Sequence, residues 1–323
     1  MASVHASPLK KNPDGYNILA TQIISCKSEK LTSKEITVDK STDREKIIEK
    51  IVVVFMLAYG IHYFGYFIRI RYFNLIGSMA LDEGLAHALK YLGHLFFFGA
   101  MMIYAWAVKK DRHYFFSFCK ERSADKLKYG LFGLLFGAFI MGACVFAASM
   151  HGDIEIKGSS GGNLAVLLFA AVCVFIQSTV EEIQDRSFVF GKMYGEGVPF
   201  IPALIVSSFF FSYLHAANPG YGMVPFINLL TSGAMYVLSY RYFGSLWFAM
   251  TAHTAWNYMQ DFIFGLPDSG KPAAVSFMET TVNGSSFFYD KDFGIEGSWM
   301  SISIHILACL FIFMIGRNMS KKA

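Results

Sequence analysis

Charged side chains are scarce in this chain of 323 residues, where Asp, Glu, Lys and Arg together make up 16%. Soluble domains carry about a quarter of their residues as charges, so the shortage argues against a soluble protein. The net charge of +4 is too small to indicate a nucleic-acid partner. The five cysteines form no Cys-x-x-Cys pair and no His-Glu-x-x-His sequence occurs. Neither disulfides nor a cysteine-based metal site is therefore expected.

Long apolar runs are abundant instead. Hydrophobic residue types make up 54% of the chain, and Phe alone occurs 33 times. A membrane-spanning helix needs about 20 apolar residues to cross a hydrocarbon core of roughly 30 Å. The runs predict an all-α, polytopic membrane bundle of about eight transmembrane helices within residues 49–323. The predicted spans are Ile51–Ile68, Tyr91–Val108, Leu127–Met150, Leu164–Phe190, Phe200–His215, Val224–Tyr240, Leu246–Phe264 and Trp299–Ile315.

The charges outside these runs predict how the chain crosses the membrane. Residues 1–48 are polar and lack the basic start and short apolar core of a signal peptide, so we interpret them as a cytosolic tail. Lys and Arg fill the loop after the second span and follow the fourth, sixth and eighth, whereas the loops 152–162 and 266–298 hold few. Because cytoplasmic loops carry an excess of basic residues, both termini are predicted to be cytoplasmic. The first loop, with Arg69 and Arg71, is the exception.

Four ionisable side chains interrupt the fourth apolar run: Glu181, Glu182, Asp185 and Arg186. A charge at the bilayer centre costs about 2.5–3.5 kcal/mol, so such groups need partners or a function. Glu182 and Arg186 are four residues apart on a helix and can pair, which could also simply tie two helices together. Glu181 is rotated about 100° from Glu182, which leaves it as a spare carboxylate suited to a general base. Asp185 is expected on the face of Glu181.

Two later runs carry further polar residues. His215 closes the sequence Phe211-Ser-Tyr-Leu-His215 at the end of the fifth span, and His253 and Asn257 share one face of the seventh. Each alone fits an interfacial histidine or a hydrogen bond between helices. Together, a base, a second polarising group and a pair of donors are what hydrolysis of a peptide bond by water requires. The other histidines in the spans are assigned no role; they are His62, His94 and His305.

These three motifs resemble the CPBP family of intramembrane proteases, also called the Abi or CAAX-protease family, which includes the type II CAAX prenyl endopeptidases. The family pattern E-E-x-x-x-R, F-x-x-x-H and H-x-x-x-N occurs here as Glu181-Glu182-x-x-x-Arg186, Phe211-x-x-x-His215 and His253-x-x-x-Asn257. The likeness covers about residues 165–268, the predicted protease core. Family members often have an aromatic residue before the Arg and a Gly after it, where this chain has Asp185 and Ser187.

The resemblance implies an intramembrane endopeptidase that cleaves with water. Glu181 would be the general base and His215 would polarise the same water. Glu182 and Arg186 would hold Glu181 and its helix in place. The implied substrates are CAAX-type tails, secreted peptides or other membrane proteins, and the implied location is the plasma membrane of a bacterium.

The resemblance further implies that His253 and Asn257 stabilise the oxyanion of the tetrahedral intermediate. Zinc could bind through Glu181, His215 and His253, although water activated by glutamate needs no metal, and we prefer the mechanism without one. One alternative is a non-catalytic scaffold of the same family, for instance a bacteriocin self-immunity protein. Another is a proton-coupled transporter, since buried Glu and His also form proton relays. The oligomeric state stays open.

Overall fold

The computed structural model describes residues 40–159 and 161–320. The predicted N-terminal tail lies outside the described residues as far as residue 39. Within the described part, nine helices have nine or more residues, and two short strands pair with each other. In chain order they are α1 Lys40–Ser78, α2 Glu83–Tyr91, α3 Leu95–Ala107, α4 Ser123–His151, β1 Ile154–Ser159, α5 Leu164–Glu182, α6 Phe200–Tyr213, α7 Met223–Phe243, α8 Leu246–Tyr258, β2 Met278–Val282 and α9 Trp299–Ser320.

The predicted helical membrane bundle is confirmed, with six described segments long and apolar enough to cross a membrane. They are Asp43–Ser78, Glu83–Ala107, Ser123–His151, Leu164–Gly195, Met223–Phe243 and Trp299–Asn318. The other two predicted spans correspond to shorter helices, because α6 has 14 residues and α8 has 13. Both of these short helices carry motif residues or lead directly to them.

Two features differ from the sequence expectation. Helix α1 runs on to Ser78, so Arg69 and Arg71 lie within it and not in a loop. The apolar residues that follow them, from Tyr72 to Ile76, continue the helix. In addition, β1 pairs with β2 in an antiparallel register that sets Ile154 against Val282. This pair joins the loop after α4 to the loop before α9.

Helix α8 lies at the centre of the bundle and contacts α4, α5 and α7. Two glycines of α4 allow its close approach. A Cβ atom on Gly133 would lie 2.3 Å from the Phe248 carbonyl oxygen, and one on Gly137 would lie 2.2 Å from that of Ala252. Small residues four apart are a common means of bringing membrane helices together. Since α8 carries the third motif, this packing fixes the positions of His253 and Asn257.

The two motif helices both change geometry close to their motif residues. Helix α5 continues as a π-helix over Ile183–Phe190, and α8 continues as a π-helix over Met259–Ile263. A π-helix contains more residues per turn than an α-helix, so side chains after the transition point in directions that α-helical spacing does not predict.

Candidate active site

The three motifs meet at one cavity of about 360 Å³. Glu181 of α5, His215 just after α6, and His253 and Asn257 of α8 all line it. Glu182 and Arg186 do not line this cavity, since both are fully buried behind it. The structure therefore brings four of the six predicted site residues to one surface and places the other two beneath that surface.

Glu181 has one oxygen held by the protein and one without a hydrogen-bond partner. Its Oε1 lies 3.1 Å from Nε2 of His94, and its Oε2 lies 3.8 Å from Nε2 of His253. Oε2 has no hydrogen-bond partner among the described residues. The carboxylate is thus oriented by one contact and still presents a free acceptor.

His94, which was assigned no role from the sequence, is the partner that orients Glu181. Its Nδ1 lies 3.0 Å from the carbonyl oxygen of Tyr91 and must be the donor there, because a carbonyl only accepts. A neutral His94 with that tautomer has a bare Nε2. The contact between Nε2 and Glu181 therefore requires one proton, which belongs either to His94 or to Glu181.

Glu182 and Arg186 form the buried support of the site, and they do pair as their spacing predicts. Arg186 Nε lies 3.1 Å from Glu182 Oε2, although this approach lacks hydrogen-bond alignment and acts as an ion pair. The other oxygen of Glu182 accepts from Nδ1 of His253 at 2.8 Å. The Arg186 guanidinium also lies over the rings of Phe211 and Tyr236, at 4.3 and 5.0 Å. Glu182 therefore connects the arginine to the histidine that lines the cavity.

Asp185 does not share the cavity face of Glu181, and that expectation was wrong. The helix becomes a π-helix at Ile183, which rotates Asp185 away from the position that α-helical spacing predicts. Its carboxylate is buried, and Oδ2 lies 3.4 Å from Nη1 of Arg186. Asp185 thus belongs to the buried ionic support and leaves Glu181 as the carboxylate of α5 that lines the cavity.

His215 and Asn257 are each oriented by one hydrogen bond, and each keeps a further polar group free to bind a substrate or water. His215 Nδ1 donates to the carbonyl oxygen of Phe211 at 2.9 Å, so a neutral imidazole keeps Nε2 as an acceptor. Asn257 Nδ2 donates one hydrogen to Gln177 Oε1 at 3.2 Å and retains a second. Gln177 also lines the cavity and was not singled out from the sequence. Its position four residues before Glu181 could have indicated it, because both lie on one face of α5.

The wall opposite the motifs comes from α2 and from the loop after α8. The Tyr91 hydroxyl lies 2.6 Å from Asp261 Oδ2 and 2.7 Å from Asp268 Oδ2, and His87 Nε2 lies 2.6 Å from the same Asp261 oxygen. Burial and the negative charges of Glu296 and Asp261 raise the pKa of Asp268, in the loop, to about 7. One phenol proton cannot satisfy two carboxylates, so a protonated Asp268 fits this arrangement.

The donor types at the cavity are those that zinc accepts, but their geometry does not form a metal site. Among the described residues, no group of three or more His, Cys, Asp and Glu side chains is arranged to hold a metal ion. The set considered from the sequence was Glu181, His215 and His253. The Nδ1 of His253 is bonded to Glu182, which leaves only its Nε2 for a ligand.

The comparison with protein families agrees with the motifs. Residues 163–259 match the family model described as Rce1-like, type II CAAX prenyl endopeptidase Rce1-like. This match confirms the resemblance and covers most of the core expected at residues 165–268. No curated protein and no solved structure matches the chain. His94, Tyr91 and Asp268 lie outside the matched residues, so part of the cavity wall is not described by the family.

Proposed function

We propose that this chain hydrolyses a peptide bond of a membrane-associated substrate with water activated by Glu181, and the match of residues 163–259 to the Rce1-like, CAAX-type protease family supports this. One observation carries the proposal. Glu181, whose Oε2 has no hydrogen-bond partner among the described residues, lines the same cavity as His215, His253 and Asn257, so α5, α8 and the segment after α6 all contribute to it. A base, a water acceptor and oxyanion donors are thereby available to one bound peptide.

Glu181 acts as the general base. Its Oε2 accepts a hydrogen bond from the attacking water, while His94 holds Oε1. Nε2 of His215 accepts the second hydrogen of the same water, because Nδ1 is committed to Phe211. With both hydrogens held, a lone pair of the water oxygen points at the scissile carbonyl carbon. A positioned base of this kind contributes about 100- to 10,000-fold to rate.

His253 and Asn257 stabilise the charge that develops on the carbonyl oxygen. Asn257 offers the N–H that Gln177 does not take. A protonated His253 donates from Nδ1 to Glu182 and from Nε2 to the oxyanion. When the intermediate collapses, the carbon–nitrogen bond breaks and the leaving amine takes the proton that Glu181 received from water. Donors fixed before reaction stabilise the transition state without rearrangement.

The test is cleavage of a quenched peptide library by the protein purified in detergent. The library contains prenylated and unprenylated members, and half of the reactions contain a chelator. Glu181→Gln keeps the size of the side chain and removes the base, so cleavage should fall at least about 100-fold. Glu155→Gln, which changes an exposed carboxylate on β1, is the control and should cleave normally. The chelator should have no effect.

The opposite result would be equal activity, or equal silence, of the parent protein and the Glu181→Gln variant when both are folded. Equal silence across prenylated and unprenylated peptides would favour the non-catalytic scaffold. Loss of cleavage with chelator would contradict the mechanism without metal.

The same proposal includes a bacterial plasma membrane with both termini in the cytoplasm. Pairing of β1 with β2 supports it, since the charge pattern puts both of their loops on the outer side. The hydrogen bond from Lys192 Nζ to Asp111 Oδ1, at 2.9 Å, likewise joins two loops expected inside. Cys119 is exposed in one of the inner loops. In a Cys26→Ser variant, an impermeant maleimide should label Cys119 in inverted vesicles and not in right-side-out ones; the reverse would overturn the orientation.

A further inference from the structure

Arg69 lies in the membrane-spanning helix α1 and lines the cavity. Its side chain passes across Gly93, where a Cβ atom would lie 3.2 Å from Arg69 Nε, and its guanidinium packs against the rings of Phe73 and Phe97 at 4.5 and 5.4 Å. Arg69 Nε is buried and has no hydrogen-bond partner among residues 40–159 and 161–320. An arginine in a membrane span is costly unless an anion accompanies it, so this one indicates a binding function.

Two lysines line the same cavity. Neither Lys90 nor Lys271 makes an ion pair with a described residue, and the same holds for Arg69. All three lie outside the segment that matches the protease family.

The carboxylates of the cavity differ from these cations because each makes at least one short polar contact within the protein. Glu181 Oε1 contacts His94, and Asp268 shares a hydrogen bond with the Tyr91 hydroxyl. Glu296 is the most fully satisfied of the three: its Oε1 accepts from the Trp256 indole at 3.1 Å, and its Oε2 accepts from the backbone and hydroxyl of Ser269 at 2.9 and 2.7 Å. The acids are therefore already bonded within the protein, and the long cationic side chains remain available.

We propose that Arg69, Lys90 and Lys271 form an anion-binding subsite, separate from His253 and Asn257, that binds a carboxylate or phosphate group of the substrate. A guanidinium offers a planar pair of donors to either group, and charge-assisted hydrogen bonds are the stronger kind. A cavity of about 360 Å³ holds roughly two or three residues of a peptide. The anionic group therefore lies within a few residues of the bond that is cleaved. The substrate class rests on the proposed function, because it assumes that a peptide occupies the cavity.

The experiment uses one peptide sequence in four forms: a free C-terminal carboxylate, a C-terminal amide, an amide with a terminal aspartate, and an amide with a terminal phosphoserine. The parent protein should cleave at least one anionic form with a kcat/KM about 10- to 100-fold above that of the neutral amide, mainly through KM. The best form identifies the group that is recognised. Arg69→Gln and Lys271→Gln should each reduce this ratio.

Arg71→Gln is the matched control. Arg71 lies on the same helix, is exposed, packs on the Phe67 ring at 4.7 Å and does not line the cavity. The ratio between anionic and neutral peptides should be unchanged in this variant. Because Lys271 is in an exposed loop, its variant tests the subsite even where Arg69→Gln folds poorly.

Binding separates the subsite from the chemistry. In the Glu181→Gln background, fluorescein-labelled anionic peptides should bind about 10- to 100-fold tighter than the labelled amide, and adding Arg69→Gln should remove the difference. Cleavage without any preference for anionic peptides, or a preference that survives both substitutions, overturns the subsite and leaves the protease. A binding preference that depends on Arg69 without cleavage by the parent overturns the protease and leaves the subsite.

Discussion

Removal of Arg186 should destabilise the protein strongly, because its charge holds a buried ionic cluster together. The side chain is 0% exposed and contacts the carboxylates of Glu182 and Asp185 at 3.1 and 3.4 Å. It also packs on the rings of Phe211 and Tyr236. Arg186→Met keeps an extended side chain but leaves the buried Asp185 without a cation and leaves Glu182 with His253 alone.

The expected loss of stability follows from the cost of removing one partner of a buried ion pair. Removing one partner costs about 3–5 kcal/mol, because the remaining charge loses its compensation. For a chain of this size each kcal/mol corresponds to roughly 2–4 °C in melting temperature. Arg186→Met should therefore melt about 6–20 °C below the parent. Arg186→Lys should fall between the two, since it keeps the charge and loses the planar contacts.

The assay is thermal unfolding in detergent, with Arg122→Met as the matched control. Arg122 also pairs with a carboxylate, Asp125, at 2.7 Å, but its side chain is 73% exposed. Exposed pairs contribute about 0–1 kcal/mol, so this variant should melt close to the parent. A second substitution, Asp185→Asn in the Arg186→Met background, should recover part of the loss. Equal melting temperatures for Arg186→Met and Arg122→Met would refute the reasoning.

Two further predictions concern packing and pH. Gly137→Ala should lower the free energy of unfolding by about 1–3 kcal/mol, because its new methyl group would lie 2.2 Å from the Ala252 carbonyl oxygen. Gly142→Ala meets open space and should be neutral or stabilise by up to about 1 kcal/mol. Melting temperatures of the two variants check this, and equal changes would contradict it. The pKa of Asp268 is raised in the fold to about 7, above its ordinary 3.8, so its neutral form stabilises the fold fully below about pH 4 and this contribution is lost as pH rises through 7. The unfolding free energy of the parent should thus fall between pH 5 and 8 by more than that of Asp268→Asn, and parallel pH profiles would contradict this.

Local spacing was enough to predict part of the site. The shared face of His253 and Asn257 depends only on α-helix geometry, and the four-residue spacing of Glu182 and Arg186 keeps them within reach of each other although the helix changes to a π-helix between them. The helical bundle was also predictable, since it follows from the length of the apolar runs. The predicted span Leu246–Phe264 also agrees with the continuous helix that α8 forms with the π-helix Met259–Ile263.

The rest depended on contacts between distant segments. His94 touches Glu181 across 87 positions of the chain, and no spacing rule connects them. Asp185 was misplaced because nothing in its sequence marks the change to a π-helix at Ile183. Arg69 was assigned to a loop, and its place at the cavity follows from the greater length of α1.

The enclosure of α8 has a consequence for how the chain is made. Its polar residues Thr251, His253, Thr254 and Asn257 all find partners within the bundle. A helix with such residues is a poor candidate to partition into lipid alone. Helix α4 bonds the Thr251 side chain, and α5 bonds the side chains of His253 and Asn257. Both helices precede α8 in the chain and therefore emerge from the ribosome before it. The order of translation therefore makes the partners of α8 available before α8 inserts into the membrane.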